Sequence, residues 1–532
     1  MIRITDTALA FDHKEQLLIQ RIIKLLGIKP ADMLSYTIIR RAIDARHKSN
    51  IMAVYTIDVA VIDEAAILAK FDANPKIKPA PDMQYQMPQA VKPAEKPPIV
   101  VGSGPCGLFI ALLLAQLGLK PIMIERGKDV QSRIADINRF WRDGILDTES
   151  NVQFGEGGAG TFSDGKLTTQ IKDKLNRSRK VLTEFVKAGA PEEILYQAKP
   201  HIGTDNLIRI IKNIRQEIIN LGGQVRFQTQ LTGIETANGH ITAAIVNDNE
   251  TIPTDAIALA LGHSARDTFE MLHAAGIAIE AKPFAIGVRI EHPQSIIDKA
   301  QYGKFAGHPS LGAAEYKLVH HCANGRSTYT FCMCPGGKVI ASSSEAGHLV
   351  TNGMSYYKRN CDNANSALLV GIKVEDFPSD HPLAGIEFQR QWEAAAYRLG
   401  GSNYHAPIQL VGDFLAHRPS TVIGTVKPSY APGITPCDLA GCLPEYIIKT
   451  IREALPQLDK KLKGFAMADA VMTAIESRSS APLRILRDKE TLQSVTTKGL
   501  FPAGEGAGYA GGIISAAIDG IKIAEAITNL SD

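Results

Sequence analysis

Residues 160–168, GTFSDGKLT, come close to a phosphate-binding loop. In a P-loop, G-x-x-x-x-G-K-[ST], backbone N–H groups and the lysine bind phosphates and the final hydroxyl binds Mg²⁺. Gly160, Gly165 and Lys166 match this pattern, but Leu167 occupies the hydroxyl position. The preceding DTESNVQ is too polar for the buried strand that launches a P-loop. We therefore disfavour an NTPase and expect this glycine-rich stretch to lie against a flat ring or a pyrophosphate instead.

A stronger nucleotide signal lies in residues 97–127. An apolar strand precedes Gly102-x-Gly104-x-x-Gly107, an apolar helix follows, and a second strand ends in Glu125. In dinucleotide folds the first glycine permits a tight turn, the second lets the backbone approach the pyrophosphate, and the third lets helix pack on strand. The helix N-terminus offers free N–H groups to the phosphates. This order of elements predicts a dinucleotide site, with Glu125 accepting hydrogen bonds from ribose hydroxyls, but does not separate NAD from FAD.

A second glycine-rich segment, residues 499–527, lies near the C-terminus. Its pattern predicts a small strand, Gly-Glu, a glycine-rich turn and a helix. Gly506-x-Gly508-x-x-Gly511 fits the dinucleotide pattern, but no second strand ending in an acid follows it. We therefore predict no second nucleotide site here.

Taken together, these segments resemble the FAD-dependent oxidoreductase superfamily, which includes glutathione-reductase-like and p-hydroxybenzoate-hydroxylase-like proteins. More narrowly, several runs resemble a bacterial family of largely uncharacterised FAD-dependent dehydrogenases. These runs are NVQFGEGGAGTFSDGKL (151–167), PHIGTDNL (200–207), FCMCPGG (331–337), TNGMSYYKR (351–359), IESRSSAPLRILRD (475–488) and GEGAGYAGGIISAAIDG (504–520). The resemblance covers nearly the whole chain and implies an FAD cofactor.

The resemblance also implies which residues contact FAD. Glu505 corresponds to the acid that binds a ribitol hydroxyl, and the following helix points its N-terminus at the flavin pyrimidine ring. Val225 corresponds to the position whose backbone meets adenine, and Gly262 lies in a flavin-proximal segment where Leu261 replaces the usual threonine. The predicted cofactor-binding residues are Gly102, Ser103, Gly104, Pro105, Cys106, Gly107, Glu125, Arg126, Gly158, Ala159, Gly160, Thr161, Lys166, Val225, Gly262, Gly504, Glu505, Gly511, Gly512 and Ile513.

The sequence does not assign the catalytic residues. The candidates are Lys166, His263, Arg266 and Arg478. Lys166 can place positive charge near the flavin N1–O2 edge or the phosphates. For His263 a structural hydrogen bond is favoured over acid–base catalysis. Arg478 has two open alternatives, pairing with an anionic substrate or flavin oxygen, and an ion pair at a domain seam.

Cys332-x-Cys334 raises the question of a redox pair. Disulfide reductases place a C-x4-C motif near the first helix and carry a second nucleotide fingerprint, and neither is evident here. The sequence therefore favours two small thiols in a buried strand.

The predicted fold class is α/β, with a Rossmann-like FAD-binding domain, an inserted sheet-rich α+β substrate domain and a small N-terminal α+β domain. The substrate pocket is expected between the FAD-binding and inserted domains. The predicted boundaries are 1–71 for the N-terminal domain, 72–98 for a Pro-rich linker, 99–274 for the first FAD-binding part, 275–470 for the inserted domain and 471–532 for the C-terminal FAD-binding part.

Composition limits the classes of partner. The 532 residues include 58 basic and 55 acidic side chains, a net charge of +3 that suggests no dedicated nucleic-acid or membrane binder. Seven cysteines without a C-x2-C pair favour reduced thiols, no zinc and a cytoplasmic location. The N-terminus lacks the pattern of a signal peptide. The uncharged window 99–119 contains glycines and a proline that suit a strand and turn, so no membrane span is predicted.

The predicted function is an FAD-dependent oxidoreductase that transfers hydride between the flavin and a small organic substrate. NAD(P)H remains open as a transient electron donor. One alternative is an FAD-dependent RNA-modifying enzyme that uses the basic residues within 40–48, although a solvated strand edge is favoured for them and DNA is not expected. The other alternative is a non-catalytic FAD-binding protein that senses redox state or partners. The sequence predicts neither the substrate, nor the direction of reaction, nor the oligomeric state.

Overall fold

The computed structural model describes residues 1–89 and 95–531. Residues 90–94 of the predicted linker, and residue 532, therefore lie outside the described residues. The strands are β1 (Ile2–Ala10), β2 (Met33–Asp44), β3 (Met52–Val61), β4 (Ile77–Pro79), β5 (Ile99–Val101), β6 (Ile122–Ile124), β7 (Gln224–Arg226), β8 (Leu231–Ala237), β9 (His240–Val246), β10 (Glu250–Pro253), β11 (Ile257–Leu259), β12 (Ile279–Ala281), β13 (Phe284–Pro293), β14 (Val319–His321), β15 (Ser327–Ala341), β16 (Thr351–Ser355), β17 (Asn363–Ile372), β18 (Ala406–Leu410), β19 (Ile434–Pro436), β20 (Val471–Glu476), β21 (Leu483–Ile485) and β22 (Leu500–Pro502).

The helices fall between these strands. They are α1 (Glu15–Leu26), α2 (Glu64–Lys70), α3 (Pro105–Gln116), α4 (Val130–Asp143), α5 (Arg177–Lys187), α6 (Gly203–Asn220), α7 (Arg266–Ala274), α8 (Gln294–Tyr302), α9 (Ala384–Leu399), α10 (Val411–Leu415), α11 (Glu445–Lys461) and α12 (Ile513–Thr528). The predicted α/β class is confirmed at this level. No helix among the described residues is both long and apolar enough to cross a membrane.

The N-terminal part forms a four-stranded antiparallel sheet in the order β2-β3-β1-β4. Helix α1 buries Leu18, Ile22 and Leu26, which share one helical face because they are four residues apart. Strand β4 lies inside the predicted linker, yet it pairs with β1. The segment around residues 196–198 covers the outer edge of β2. The Arg41 N–H donates to the carbonyl oxygen of Tyr196 at 2.7 Å, and the Ala198 N–H donates to the carbonyl oxygen of Arg41 at 2.9 Å.

The predicted cofactor-binding segments form a five-stranded parallel sheet in the order β22-β11-β5-β6-β7. Four of its strands, β22, β11, β5 and β6, are short, apolar and buried on both faces, as expected for a parallel sheet covered on both sides. The edge strand β7 is more polar, with Gln224 and Arg226. Helix α3 follows β5 and is buried along residues 106–115. The C-terminal helix α12 packs closely against α3, where a Cβ on Gly520 would lie 2.4 Å from the carbonyl oxygen of Cys106. Strands β8, β9 and β10 form a separate antiparallel sheet between β7 and β11.

The remaining large element is an eight-stranded sheet in the order β14-β15-β17-β13-β20-β18-β19, with β16 paired to β15. Strand β13 forms its centre and is buried over nearly its whole length. Strand β20 belongs to this sheet, although the sequence analysis ended the inserted domain at residue 470.

Candidate active site

A cavity of about 390 Å³ lies between the parallel sheet and the eight-stranded sheet. Its wall includes residues at or directly after the carboxyl ends of four parallel strands, β5, β6, β11 and β22. Ligands of open α/β sheets bind at this edge. The opposite wall comes from the second sheet through Phe331, Cys332, Asn352 and Glu476. Both sheets therefore contribute to one site.

Most of the predicted cofactor-binding residues line this cavity. They are Gly102, Ser103, Gly104, Pro105, Cys106, Glu125, Arg126, Gly158, Ala159, Gly160, Lys166, Gly262, Glu505, Gly511, Gly512 and Ile513. Four predicted residues do not line it, namely Gly107, Thr161, Val225 and Gly504. Of the catalytic candidates, Lys166, His263 and Arg478 line the cavity and Arg266 does not.

The turn at 102–107 has the geometry that its glycines suggested. Gly102 has a φ of +98°, and a Cβ there would lie 2.4 Å from the carbonyl oxygen of Ala260. A Cβ on Gly107 would lie 1.8 Å from the carbonyl oxygen of Gly102, so only glycine lets α3 start this close to β5. Gly107 thus supports the turn from behind, while Gly104, the N-cap of α3, faces the cavity.

Glu125 is buried and accepts four hydrogen bonds. Ser103 donates its backbone N–H and its hydroxyl, at 3.0 and 2.7 Å. The backbone N–H groups of Gly127 and Gly155 donate at 2.9 and 3.0 Å. The carboxylate therefore holds three chain segments together around the cavity. The ribose hydroxyl that we predict to bind Glu125 would donate to carboxylate oxygens that already accept hydrogen bonds from the protein.

The glycine-rich loop lies on the turn at 102–107. Gly157 donates its N–H to the carbonyl of Ser103 at 3.0 Å, and a Cβ on Gly158 would lie 3.1 Å from the Cα of Gly104. Fully buried Arg133 holds the start of this loop from behind. Its guanidinium donates to the carbonyl oxygens of four loop residues, Asn151, Val152, Gly155 and Glu156. The sequence analysis missed this arginine because its partners are backbone groups.

Lys166 lies at the end of the same loop and is held on both sides. Its ammonium contacts Asp164 Oδ2 at 2.7 Å and donates to the carbonyl oxygen of Met333 in β15. Arg359 binds the other side of Asp164. Burial alone would lower the pKa of Lys166, but the Asp164 carboxylate and the neighbouring thiols outweigh burial and raise it. Lys166 is therefore a fixed cation at the boundary between the loop and the second sheet.

His263 and Glu505 form a pair on the cavity wall, with Nδ1 of the histidine 2.8 Å from Oε1 of the glutamate. A carboxylate can only accept, so Nδ1 carries the proton. Nε2 is buried and has no hydrogen-bond partner among the residues that the structure describes. The favoured structural hydrogen bond for His263 is thus present, and one ring nitrogen remains for a ligand.

Arg266 and Arg478 clamp one buried carboxylate. Both guanidinium groups bind Glu393, which is fully buried on α9. Arg478 also donates to the hydroxyls of Ser264 and Ser344 at 3.0 and 2.6 Å. These contacts correspond to the ion pair at a domain seam, one of the two alternatives for Arg478. Arg266 is 1% exposed and does not line the cavity, and its place among the catalytic candidates stays a prediction.

Val225 lies in the middle of β7, where its backbone pairs with Met123 of β6. It packs against the core under the parallel sheet and does not reach the cavity. The structure instead places Thr229, Gln230 and Leu231 beside Glu125 at this end of the cavity. No sequence pattern distinguished these residues from the loop around them.

The second sheet contributes a buried ion pair that the sequence analysis did not predict. Arg289 on β13 binds both carboxylate oxygens of Glu476 on β20. Glu476 lines the cavity and is 4% exposed. Burial raises the pKa of Glu476 to about 7, against the opposing effect of Arg289. A carboxyl group that titrates near neutrality can hold or release a proton at this wall.

A family model described as FAD-dependent protein, C-terminal domain-like, matches residues 283–479. A second model, a domain of unknown function, matches residues 1–60. An uncharacterised protein of Clostridium beijerinckii is 48% identical over 533 residues, covering 100% of this chain and 99% of that protein. The chain belongs to a family of FAD-dependent proteins.

Two solved structures show low similarity to this FAD-dependent protein. L-proline dehydrogenase from P. horikoshii is 10% identical over 82% of this chain and 94% of its own, with a TM-score of 0.35. Glycine oxidase from Bacillus cereus is 11% identical over 82% and 96%, with a TM-score of 0.31. These scores say nothing about the substrate of this chain.

The cavity fits the FAD that the family requires, and the cofactor predicted from the sequence is confirmed. Gly104 lines the cavity, and a Cβ there would meet only the Cα of Gly158, at 3.9 Å, so the turn leaves open space on its cavity side. The first residues of α3 and α12 both line the cavity, so two positive helix ends face it. The unpartnered Nε2 of His263 provides a further polar contact. These residues suit an elongated, negatively charged dinucleotide.

Metal chemistry has a single weak candidate in the described parts of the chain. Ligand atoms of His320, Cys322 and Glu453 lie within 4.8 Å of one another. The Cys322 thiol already donates to the carbonyl of Thr450, and none of the three residues lines the cavity.

Proposed function

We propose that this chain is an FAD-dependent oxidoreductase that exchanges hydride between the flavin and a small organic substrate. The observation that carries the proposal is the single cavity shared by the dinucleotide turn and by the ionisable groups of the second sheet. Bound FAD supplies hydride transfer at its N5 atom. The protein must supply orientation, exclusion of water and a route for the proton that accompanies hydride.

Glu476 is the residue that we assign to this proton. Oxidation of a C–H bond next to an N–H or O–H group releases a proton as well as a hydride. The Glu476 carboxylate lies at the cavity wall, and its pKa of about 7 makes it a proton acceptor at neutral pH. Arg289 holds the carboxylate in place through Nε and Nη2. Lys166 and Asn352 are the other polar side chains from this end of the cavity that we expect to orient a substrate.

The test is anaerobic reduction of the purified FAD-loaded protein. NADH and NADPH are titrated first, and a panel of amines, amino acids and hydroxy acids follows, with flavin absorbance at each step. We expect at least one compound to bleach the flavin, and Glu476→Gln to slow that reduction by about 100-fold or more while still binding FAD. Glu217→Gln, on α6 with an exposed side chain that does not line the cavity, is the matched control. Reduction by dithionite alone would favour a non-catalytic sensor.

A further inference from the structure

Two cysteines of the second sheet stand beside the cofactor cavity. Cys332 and Cys334 lie on β15, and Cys332 lines the cavity while Cys334 is fully buried behind it. Residues two apart on a strand point to the same face. The strand is irregular here, because Phe331 pairs with Ala367 and Cys334 with Asn365, so one extra residue is accommodated. The irregularity includes Cys332, whose φ of +42° is uncommon for a residue other than glycine.

Two cations lie close to the thiols, and each is paired with a carboxylate, Lys166 with Asp164 and Arg289 with Glu476. Lys166 donates to the carbonyl oxygen of Met333, the residue between the cysteines. Arg289 Nη1 donates to the carbonyl oxygen of Cys332 at 2.9 Å and lies 4.0 Å from Cys334 Sγ. A hydrogen bond from Cys334 lowers the pKa of Cys332, with Arg289 and Lys166 adding to the effect, while the same hydrogen bond and burial raise the pKa of Cys334. This arrangement favours one thiolate next to one thiol.

We propose that Cys332 and Cys334 form a redox-active dithiol that exchanges electrons with the bound FAD. The proposal rests on the proposed oxidoreductase function and names an electron carrier for it within the chain itself. Oxidation of the pair forms one S–S bond, breaks the S–H bond of Cys334, and passes two electrons and that proton to FAD. The reverse step reduces the disulfide and returns the flavin to its oxidised form, so atoms and electrons balance without another reactant.

The backbone permits such a bond under strain. Two residues apart in an extended strand, Cα atoms are separated by about 6.6 Å, near the upper limit for a disulfide. The left-handed conformation of Cys332 bends the strand at this point. A strained disulfide is more easily reduced than a structural one, which suits a reversible electron carrier.

The experiment counts electrons in the FAD-loaded protein. The protein is treated with diamide, a thiol oxidant, desalted under argon and titrated with dithionite. We expect the wild type to take up four electrons, two for the flavin and two for the disulfide. Cys332→Ser and Cys334→Ser should take up two. Cys361→Ser should still take up four, because Cys361 is half-buried away from the cavity. Uptake of two electrons by the wild type, or a loss in Cys361→Ser, overturns the pairing.

A second measurement needs no variant. Alkylation with iodoacetamide before and after diamide treatment, followed by peptide mass analysis, should show both cysteines protected together and a linked peptide lighter by two hydrogens. Alkylation of both cysteines after diamide contradicts the proposal. The two proposals can fail independently. If the protein takes up four electrons but no tested compound reduces the flavin, only the proposed function is contradicted. If a compound reduces the flavin but the protein takes up only two electrons, only the dithiol proposal is contradicted.

Discussion

Nδ1 of His263 lies 2.8 Å from Oε1 of Glu505, although the two residues are 242 positions apart in sequence. His263 follows β11 and Glu505 follows β22, and these strands are parallel neighbours. Parallel pairing brings their carboxyl ends to the same edge, so the two side chains meet at the cavity. The acid predicted for the ribitol chain thus has a histidine that fixes its orientation.

Two substitutions of His263 test the roles of its two ring nitrogens separately. Asparagine keeps a donor near the Nδ1 position, whereas alanine removes both nitrogens. We expect His263→Ala to weaken FAD binding by about 10-fold or more, as for loss of a hydrogen bond to a charged group, and His263→Asn to keep most of the affinity. Fluorescence titration of the apoprotein with FAD measures both. Equal affinities for the two variants would remove Glu505 orientation as the role of His263.

Glu125 should matter for folding as well as for FAD. Glutamine replaces one of the two acceptor oxygens by an NH2 group, so that at least one buried N–H faces another donor and loses its partner. We expect Glu125→Gln to reduce the free energy of unfolding by about 1–3 kcal/mol and to weaken FAD binding. Urea unfolding and FAD titration provide the measurements. Glu217→Gln alters an exposed carboxylate on α6 that does not line the cavity, and should change neither quantity substantially.

Gly107 is predicted to be irreplaceable by alanine. The added Cβ would lie 1.8 Å from the carbonyl oxygen of Gly102, so α3 must move away from β5. We expect a loss of stability of about 1–3 kcal/mol or more and a purified protein with little bound flavin. A Cβ on Gly371 meets nothing within 4 Å, which makes Gly371→Ala the control. A Gly107→Ala protein as yellow and as stable as the control would contradict the predicted close packing.

Glu393 should make the fold sensitive to acid. Burial opposes its ionisation, but Arg266 and Arg478 outweigh burial and hold the pKa of Glu393 well below that of an ordinary carboxyl. Since the folded pKa is depressed, the unfolded chain binds the proton first, and stability present above the ordinary pKa of about 4.3 is lost as pH falls below it. Glu393→Gln should flatten this loss while costing about 3–5 kcal/mol at pH 7.

Thermal unfolding between pH 7 and pH 3 tests this dependence. Glu387→Gln, on the same helix with a side chain 61% exposed, should keep the acid sensitivity of the wild type. An unchanged pH dependence in Glu393→Gln would show that other carboxyl groups dominate.

Lys166 should tune the flavin. A fixed ammonium at the cavity wall stabilises negative charge that develops on reduction. We expect Lys166→Met to lower the two-electron midpoint potential by about 30 mV, the equivalent of about 1.4 kcal/mol, with FAD still bound. Lys199→Met, with a side chain 72% exposed, should leave the potential unchanged. Redox titration with a reference dye decides between these outcomes.

The sequence predicted the parts of the site that depend on local order. The turn at 102–107, the helix after it and Glu125 follow one another within a single βα unit, so their spacing alone defines them. The glycines at 511 and 512 were predicted from the resemblance to the superfamily, and both line the cavity. Where a site is formed by a strand, a turn and a helix that follow one another, the sequence pattern is sufficient to predict its geometry.

Long-range pairing accounts for what the sequence did not predict. Arg266 meets Glu393 across 127 residues, and Arg289 meets Glu476 across 187, so no spacing pattern could reveal either ion pair. Both arginines resemble exposed charges in sequence, yet both are buried. Glu476 could have been singled out only from the resemblance of its segment to a known family, which gave no role for it. Cys332 was noticed from its C-x-C spacing, which favoured a buried thiol over a redox pair.

Arg133 gives the glycine-rich loop its shape in the absence of any ligand. Its buried guanidinium donates hydrogen bonds to four backbone carbonyl groups of the loop from 151 to 156, so the protein's own contacts order this loop. Ordering the backbone of one residue costs about 1–2 kcal/mol of conformational entropy. For this loop the cost is part of the free energy of folding and not of the free energy of FAD binding. We therefore expect FAD to bind against a loop whose backbone Arg133 already holds in place.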